Sequence, residues 1–210
     1  MFDFQLLIET LIRGDIPKLT GLVKEALARG TPAQEILDNG LIAGMDIVGE
    51  KMENADMFIP EVLMSAKAMN ACVEILKPLL GEQGLVAKGK VVIGTVKGDL
   101  HDIGKNLVAM MLASSGFEVY NLGVDRAPDQ FVAEIKAKNA DMLGLSALLT
   151  TTMPMMKQTI DAVVESGMRD QVKIMVGGAP VTQKFADEIG ADGFAPDAGS
   201  AAKLAKALMK

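Results

Sequence analysis

The sequence holds one histidine, and its neighbours define what that side chain can do. It stands in Asp99-Leu100-His101-Asp102-Ile103-Gly104. An imidazole two positions from a carboxylate can ligate a metal through one ring nitrogen while the other donates to the carboxylate. Such a partner fixes the tautomer and raises ligand basicity. The single cysteine, Cys72, rules out a disulfide framework and leaves no thiolate cluster for zinc. One histidine and one carboxylate cannot hold a naked metal ion. A metal here must bring most of its own ligands, which means a macrocycle. By position alone, His101 fits a solvated loop histidine beside a helix N-cap equally well.

The elements that must position this loop fall into two groups. Residues 1–88 read as four helices joined by short loops, hence a small bundle. The first spans about 3–12. The second runs from an N-cap at Asp15 to about Ala28, with Gly30 past its end. Thr31-Pro32-Ala33-Gln34 supplies an N-cap Thr, a Pro at the first helical position and a Gln at the capping-box position. The helix that follows carries Leu37, Leu41, Met45, Val48 and Met52 on one face. A fourth starts near Pro60 and carries Val62, Ala66, Met69, Val73 and Leu76. These are helical periods, and the stripes read as bundle core. Cys72, beside the last stripe, reads as a buried thiol.

Pro78, Gly81 and Gly84 interrupt the pattern, and 80–89 reads as a linker. From 89 to 210 strands and helices alternate: strands at 90–96, 117–122, 141–145, 172–176 and 193–195, and helices at 103–115, 128–138, 154–166, 181–189 and from after the last strand to the end. The expected fold is α/β, a helical bundle followed by a doubly wound, Rossmann-like, five-stranded parallel sheet. Ligands of such sheets bind beyond the carboxyl ends of the strands, and the His101 loop follows the first strand. On their own, Ser146 reads as a polar residue ending a buried strand and Gly177-Gly178 as an ordinary strand-to-helix turn.

The bulk numbers set bounds. With 210 residues, half of them apolar, there is ample core. A net charge of −6 argues against a nucleic-acid binder, which depends on Lys and Arg. The first residues form no signal peptide, and no apolar run approaches the roughly 20 residues of a membrane span. The expectation is a cytoplasmic protein with no membrane and no nucleic-acid partner.

Asp99-x-His101-x-x-Gly104, then 41 residues, then Ser146-x-Leu148, then 28 residues, then Gly177-Gly178, resembles the signature of the cobalamin-binding domain. That domain occurs in methionine synthase, methylmalonyl-CoA mutase and corrinoid proteins of one-carbon metabolism. The run from Gly94 to Asn106 resembles the methyltransferase branch. Met57-Phe58-Ile59-Pro60-Glu61-Val62 is similar to that branch's cap segment, so residues 1–88 correspond to a helical cap and 89–210 to the cobalamin-binding domain.

The resemblance implies roles. His101 is the lower axial ligand of cobalt, in place of the cofactor's dimethylbenzimidazole. Asp99 bonds its other nitrogen, and Thr152 extends that relay. Ser146 faces the displaced base, Thr150 and Ala198 line the nucleotide pocket, and Gly177-Gly178 admits the tail. Gly98, Leu100, Asp102, Ile103, Gly104 and Leu148 complete the binding loops, and Phe58 covers the upper cobalt face. The implied function is methyl carriage on cobalamin, cycling between methylcobalamin and cob(I)alamin. The carrier serves a substrate-specific methyltransferase and an acceptor methyltransferase using tetrahydrofolate or a thiol, together with a reductive activator. By itself the chain is expected to be non-catalytic. The alternative is a regulatory or storage module without methyl transfer. A receiver domain is disfavoured, because the third strand ends in Leu145-Ser146-Ala147 where a receiver needs a phosphoaccepting Asp.

Overall fold

The structure, a computed structural model, describes residues 2–80 and 87–210. The chain divides into two compact units, Met1–Val86 with Ser114–Gly116, and Ala87–Ala113 with Phe117–Lys210. The expected linker at 80–89 lies mostly outside the described residues.

In the first unit, α1 (Phe4–Ile12) starts at Asp3, whose carboxylate accepts from the backbone N–H of Gln5 and Leu6. Helix α2 (Ile16–Ala28) starts at Asp15, which accepts from Lys18 N at 3.1 Å. These side chains satisfy backbone donors left over at a helix start. Next, α3 (Ala33–Ile36) passes through one π-helical stretch (Leu37–Ile42) into α4 (Ala43–Glu53). Thr31 does not cap this helix. Pro32, extended at φ −58° and ψ 139°, occupies the N-cap position and provides no side-chain acceptor. Gln34 reaches forward to Asp38 at 2.9 Å rather than back, so no capping box forms. Helix α5 (Ile59–Leu76) packs against α1, α2 and α4. Leu37, Leu41, Met45, Val48, Val62, Ala66, Met69 and Leu76 are buried as their spacing implies. Met52 and Val73 are only half-buried. On α5, Ser65 and Cys72 are fully buried beside the stripe, Cys72 as its position implies. Burial pushes the Cys72 thiol up to about 12.

The second unit alternates β1 (Lys90–Thr95), α6 (Ile103–Ser114), β2 (Glu118–Asn121), α7 (Pro128–Lys138), β3 (Met142–Ser146), α8 (Pro154–Glu165), β4 (Lys173–Gly177), α9 (Gln183–Ile189), β5 (Gly193–Ala195) and α10 (Ala198–Leu208). All strand pairs are parallel, in the order β2-β1-β3-β4-β5. Side chains alternate across the sheet. Val92, Leu143, Leu145, Ile174 and Val176 pack with Phe131, Ile135, Met156, Ile160 and Ala186 of α7, α8 and α9. Val91, Ile93, Met142 and Met175 pack with Leu112 of α6 and Ala201 and Ala205 of α10. Both faces are covered, which is why the central strands read as near-continuous apolar runs. The expected doubly wound architecture is present, with element ends displaced by one or two residues. Among the described residues, no helix is long and apolar enough to cross a membrane.

Candidate functional site at the switch point of the sheet

Strand order reverses between β1 and β3, and the loops after those strands meet at that crevice. The β1–α6 loop carries Asp99, which is fully buried, and His101, whose side chain is about half exposed. His101 Nδ1 lies 2.7 Å from Asp99 Oδ1, and the same oxygen accepts from His101 N at 3.1 Å. The other oxygen, Oδ2, accepts from Leu148 N at 2.8 Å, Leu149 N at 3.2 Å and Thr152 Oγ1 at 2.7 Å. Burial by itself would raise the Asp99 pKa. The hydrogen bonds from His101 N, Leu148 N, the Thr152 hydroxyl and the imidazole outweigh it and hold the carboxyl well below the usual carboxylate range. An ionised carboxylate only accepts, so Nδ1 must carry the proton shared with it. In the neutral ring the lone pair is then on Nε2, which has no hydrogen bond among the described residues.

The loop is braced from several sides. Thr95 Oγ1, buried at the end of β1, donates to the His101 carbonyl at 2.9 Å. Gly98 has φ +82°, a conformation that favours glycine. On the first turn of α6, buried Lys105 donates from Nζ to Asn106 Oδ1 and Asn121 Oδ1, each at 2.7 Å, tying the helix start to the end of β2. Desolvation lowers the Lys105 pKa, and Asp102 pulls it back up. Asp102 itself accepts from Asn106 Nδ2 at 2.9 Å.

Around His101 the surface is apolar where water would favour polar groups. Leu100 is 72% and Ile103 77% exposed, and Leu148 and Leu149 across the crevice are also exposed. Large apolar side chains left open at the ligand end of a sheet suit an extended, largely apolar ligand. Among the described residues no group of three or more His, Cys, Asp or Glu could hold a metal ion. The arrangement present, one imidazole bonded through Nδ1 to a buried carboxylate, fits a metal that brings most of its own ligands.

The remaining sequence-derived positions lie on the same end of the sheet or in the helical unit. Ser146 ends β3, in register with Thr95 and Gly177, and its carbonyl accepts from Val96 N at 3.1 Å. Thr150 is exposed in the β3–α8 loop. Ala198 is buried at the start of α10, after Asp197 caps it. Gly178 has a reason internal to the chain: at φ +129°, a Cβ there would lie 2.0 Å from the Ala147 carbonyl oxygen. A Cβ on Gly177 would lie 3.0 Å from the Ala195 carbonyl. A Cβ on Gly104 would meet nothing within 4 Å. Phe58 is the N-cap of α5 and is 66% exposed, so it is no part of a core. Glu61 Oε2 accepts from its backbone N–H at 2.9 Å. Thr95, Leu149 and Asp125 went unnoticed in the sequence. Only the β-branched run at 90–96 hinted at the first of them.

A buried carboxylate bonded to an imidazole, with exposed apolar side chains around it at the switch point of a doubly wound sheet, defines a ligand-binding protein. Residues 89–204 match the family model of the B12 binding domain, and residues 4–77 match a second model of that description. The chain is 50% identical over 176 residues to dimethylamine corrinoid protein 1 of Methanosarcina acetivorans, covering 83% of each. It is similar in structure to a cobalamin-binding protein from Desulfitobacterium hafniense, with 32% identity, 99% of each chain covered and a TM-score of 0.86. It is also similar to a chain of the methanol:cobalamin methyltransferase complex MtaBC of Methanosarcina barkeri. That match has 30% identity over 97% of this chain and 78% of the other, with a TM-score of 0.84. The chain belongs to the B12-binding-domain family, and its cofactor is cobalamin.

Proposed function

We propose that the protein is a corrinoid methyl carrier that binds cobalamin base-off, with His101 Nε2 as the lower axial ligand. The observation that carries this reading is the 2.7 Å contact from His101 Nδ1 to buried Asp99, which leaves Nε2 free to ligate. Bound cobalamin supplies a cobalt centre that accepts a methyl group and gives it up. The chain's residues do the rest. Asp99, ionised and held by two loops, would orient the imidazole and fix its tautomer so that Nε2 is the nitrogen offered to the bound metal. Thr152 keeps that carboxylate in place. Gly98, Leu100, Asp102, Ile103 and Gly104 on one loop, and Ser146, Leu148 and Thr150 on the other, form the proposed cofactor bed. Gly177, Gly178 and Ala198 lie toward the displaced nucleotide. Residues 89–210 are the proposed cofactor-holding domain and residues 1–88 the proposed cap domain.

The partners in this reading are a donor-specific methyltransferase, an acceptor methyltransferase using tetrahydrofolate or a thiol, and a reductive activator, all in the cytoplasm. The likeness to a protein named for dimethylamine favours a methylated amine as methyl donor. The test is to load the purified protein with hydroxocobalamin, reduce it to the cob(II)alamin form and compare wild type with His101→Ala. Wild type should retain about one corrinoid per chain through gel filtration and show histidine-nitrogen hyperfine coupling in electron paramagnetic resonance. The variant should keep its circular dichroism and lose the coupling. Coupling that persists in His101→Ala would refute the ligation. With a dimethylamine methyltransferase added, methyl transfer should be faster from dimethylamine than from methanol. Bound cofactor without transfer from any methyl donor, methanol included, would leave a storage module.

A further inference from the structure

We infer that Asp125, in the loop between β2 and α7, is a positioning residue for the cobalt-ligating loop. Its side chain and backbone grip that loop from opposite directions. Asp125 Oδ1 accepts from Gly98 N at 2.7 Å, and Asp125 N donates to the Asp99 carbonyl at 3.1 Å. Two reciprocal hydrogen bonds therefore close a ring around the peptide that joins Gly98 to Asp99. The flanking chain is fastened too. Arg126 N donates to the Thr95 carbonyl at 3.0 Å, and Val96 and Arg126 form a parallel bridge. Asp125 adopts φ +55°, which non-glycine residues rarely take and Asp and Asn take most readily. A side chain held there at a conformational cost, with its acceptor on the amide just before Asp99, matches strain retained at a functional site.

Asp99 is otherwise anchored through its side chain, to His101, Leu148, Leu149 and Thr152, and through its own N–H, which donates to the Val96 carbonyl at 3.2 Å. Asp125 adds a hold on the same stretch of backbone from both sides, through the Gly98 N–H and the Asp99 carbonyl. Losing the Asp125 acceptor frees the N–H of Gly98, a glycine at φ +82°, and the peptide leading into Asp99 loosens. The angle at which Asp99 presents the imidazole then broadens.

This inference rests on the cobalamin reading for its consequence but not for the clamp itself, and two variants separate the parts. Asp125→Asn keeps an oxygen acceptor and a residue type that tolerates the left-handed region. Asp125→Gly relieves the backbone and removes the acceptor. In the cofactor-free protein, Gly98 amide hydrogen exchange should quicken roughly 5- to 10-fold in Asp125→Gly, as expected for one lost hydrogen bond. It should stay at the wild-type rate in Asp125→Asn. In the loaded protein, Asp125→Gly should weaken hydroxocobalamin affinity by about 10–100-fold, as loss of an outer partner of a metal ligand does. It should also blur the histidine-nitrogen hyperfine pattern of the cob(II)alamin form, while Asp125→Asn restores both. Unchanged Gly98 exchange in Asp125→Gly would overturn the clamp. Quickened exchange with wild-type affinity and hyperfine pattern would overturn its positioning role. A wild-type protein that binds no hydroxocobalamin would count against the cofactor reading, and the Gly98 measurement would still decide the clamp.

Discussion

Thr152 Oγ1 lies 2.7 Å from Asp99 Oδ2 although the two residues stand 53 positions apart, and both are buried. Thr152 Oγ1 also lies 2.9 Å from the Leu149 carbonyl, but a hydroxyl has one proton, and the shorter, charge-assisted contact is with the carboxylate. Thr152→Val should therefore cost about 1.5–3 kcal/mol in urea unfolding, the range for a hydrogen bond to a charged group. Thr152→Ser should recover most of it. Equal stability of the Val variant and wild type would mean that Thr152 does not anchor Asp99.

The ionised state of Asp99 makes a pH prediction. Its folded-state pKa is depressed below the ordinary carboxylate value near 3.9, so its contribution is fully present above that value and is lost as pH falls. Asp99→Asn should be less stable than wild type at pH 7 by on the order of 2–3 kcal/mol. The two urea-unfolding curves should converge as pH drops from about 5 toward 2. Parallel curves over that window would show that Asp99 is not a depressed carboxylate.

Two glycines of the site should part company. Gly178→Ala places a Cβ 2.0 Å from the Ala147 carbonyl oxygen at φ +129°, so backbone must move. A loss of at least about 3 kcal/mol, or failure to fold, is expected. Gly104→Ala sits in α6 with open space at its Cβ, and should leave the apoprotein as stable as wild type or up to about 1 kcal/mol more stable. If the cofactor bed includes Gly104, hydroxocobalamin affinity should nevertheless fall. Calorimetry on the apoproteins and a cobalamin titration separate the two effects. Full affinity in Gly104→Ala would remove that residue from the bed.

Phe58→Ala tests whether the exposed ring is there for a ligand. With 66% of its surface open, its removal should change stability by about 0.5 kcal/mol or less. A core phenylalanine would cost about 3–5 kcal/mol. If Phe58 shields the methyl face, photolysis of the methyl form should be faster in the variant, with cobalamin affinity nearly unchanged. Photolysis at the wild-type rate would end the shielding role.

The sequence by itself determined the alternation of strand and helix, the helical stripes of the first unit and the loop that bears His101. Those features are local: apolar period, turn residues and one histidine two positions from a carboxylate can be read within a short window. Local reading erred where neighbouring residues compete for a role, as at Thr31, which Pro32 displaces from the N-cap position. Only the tertiary structure decided what surrounds Asp99. Leu148, Leu149 and Thr152 reach its Oδ2 from 49, 50 and 53 positions away because β1 pairs with β3. Asp125 reaches Gly98 from 27 positions away because β1 pairs with β2 on its other side. Gly178 must be glycine because the chain beyond β4 passes the Ala147 carbonyl. Strand order sets each of these contacts. It is chosen by burying both faces of the sheet at once, a condition no local stretch of sequence expresses.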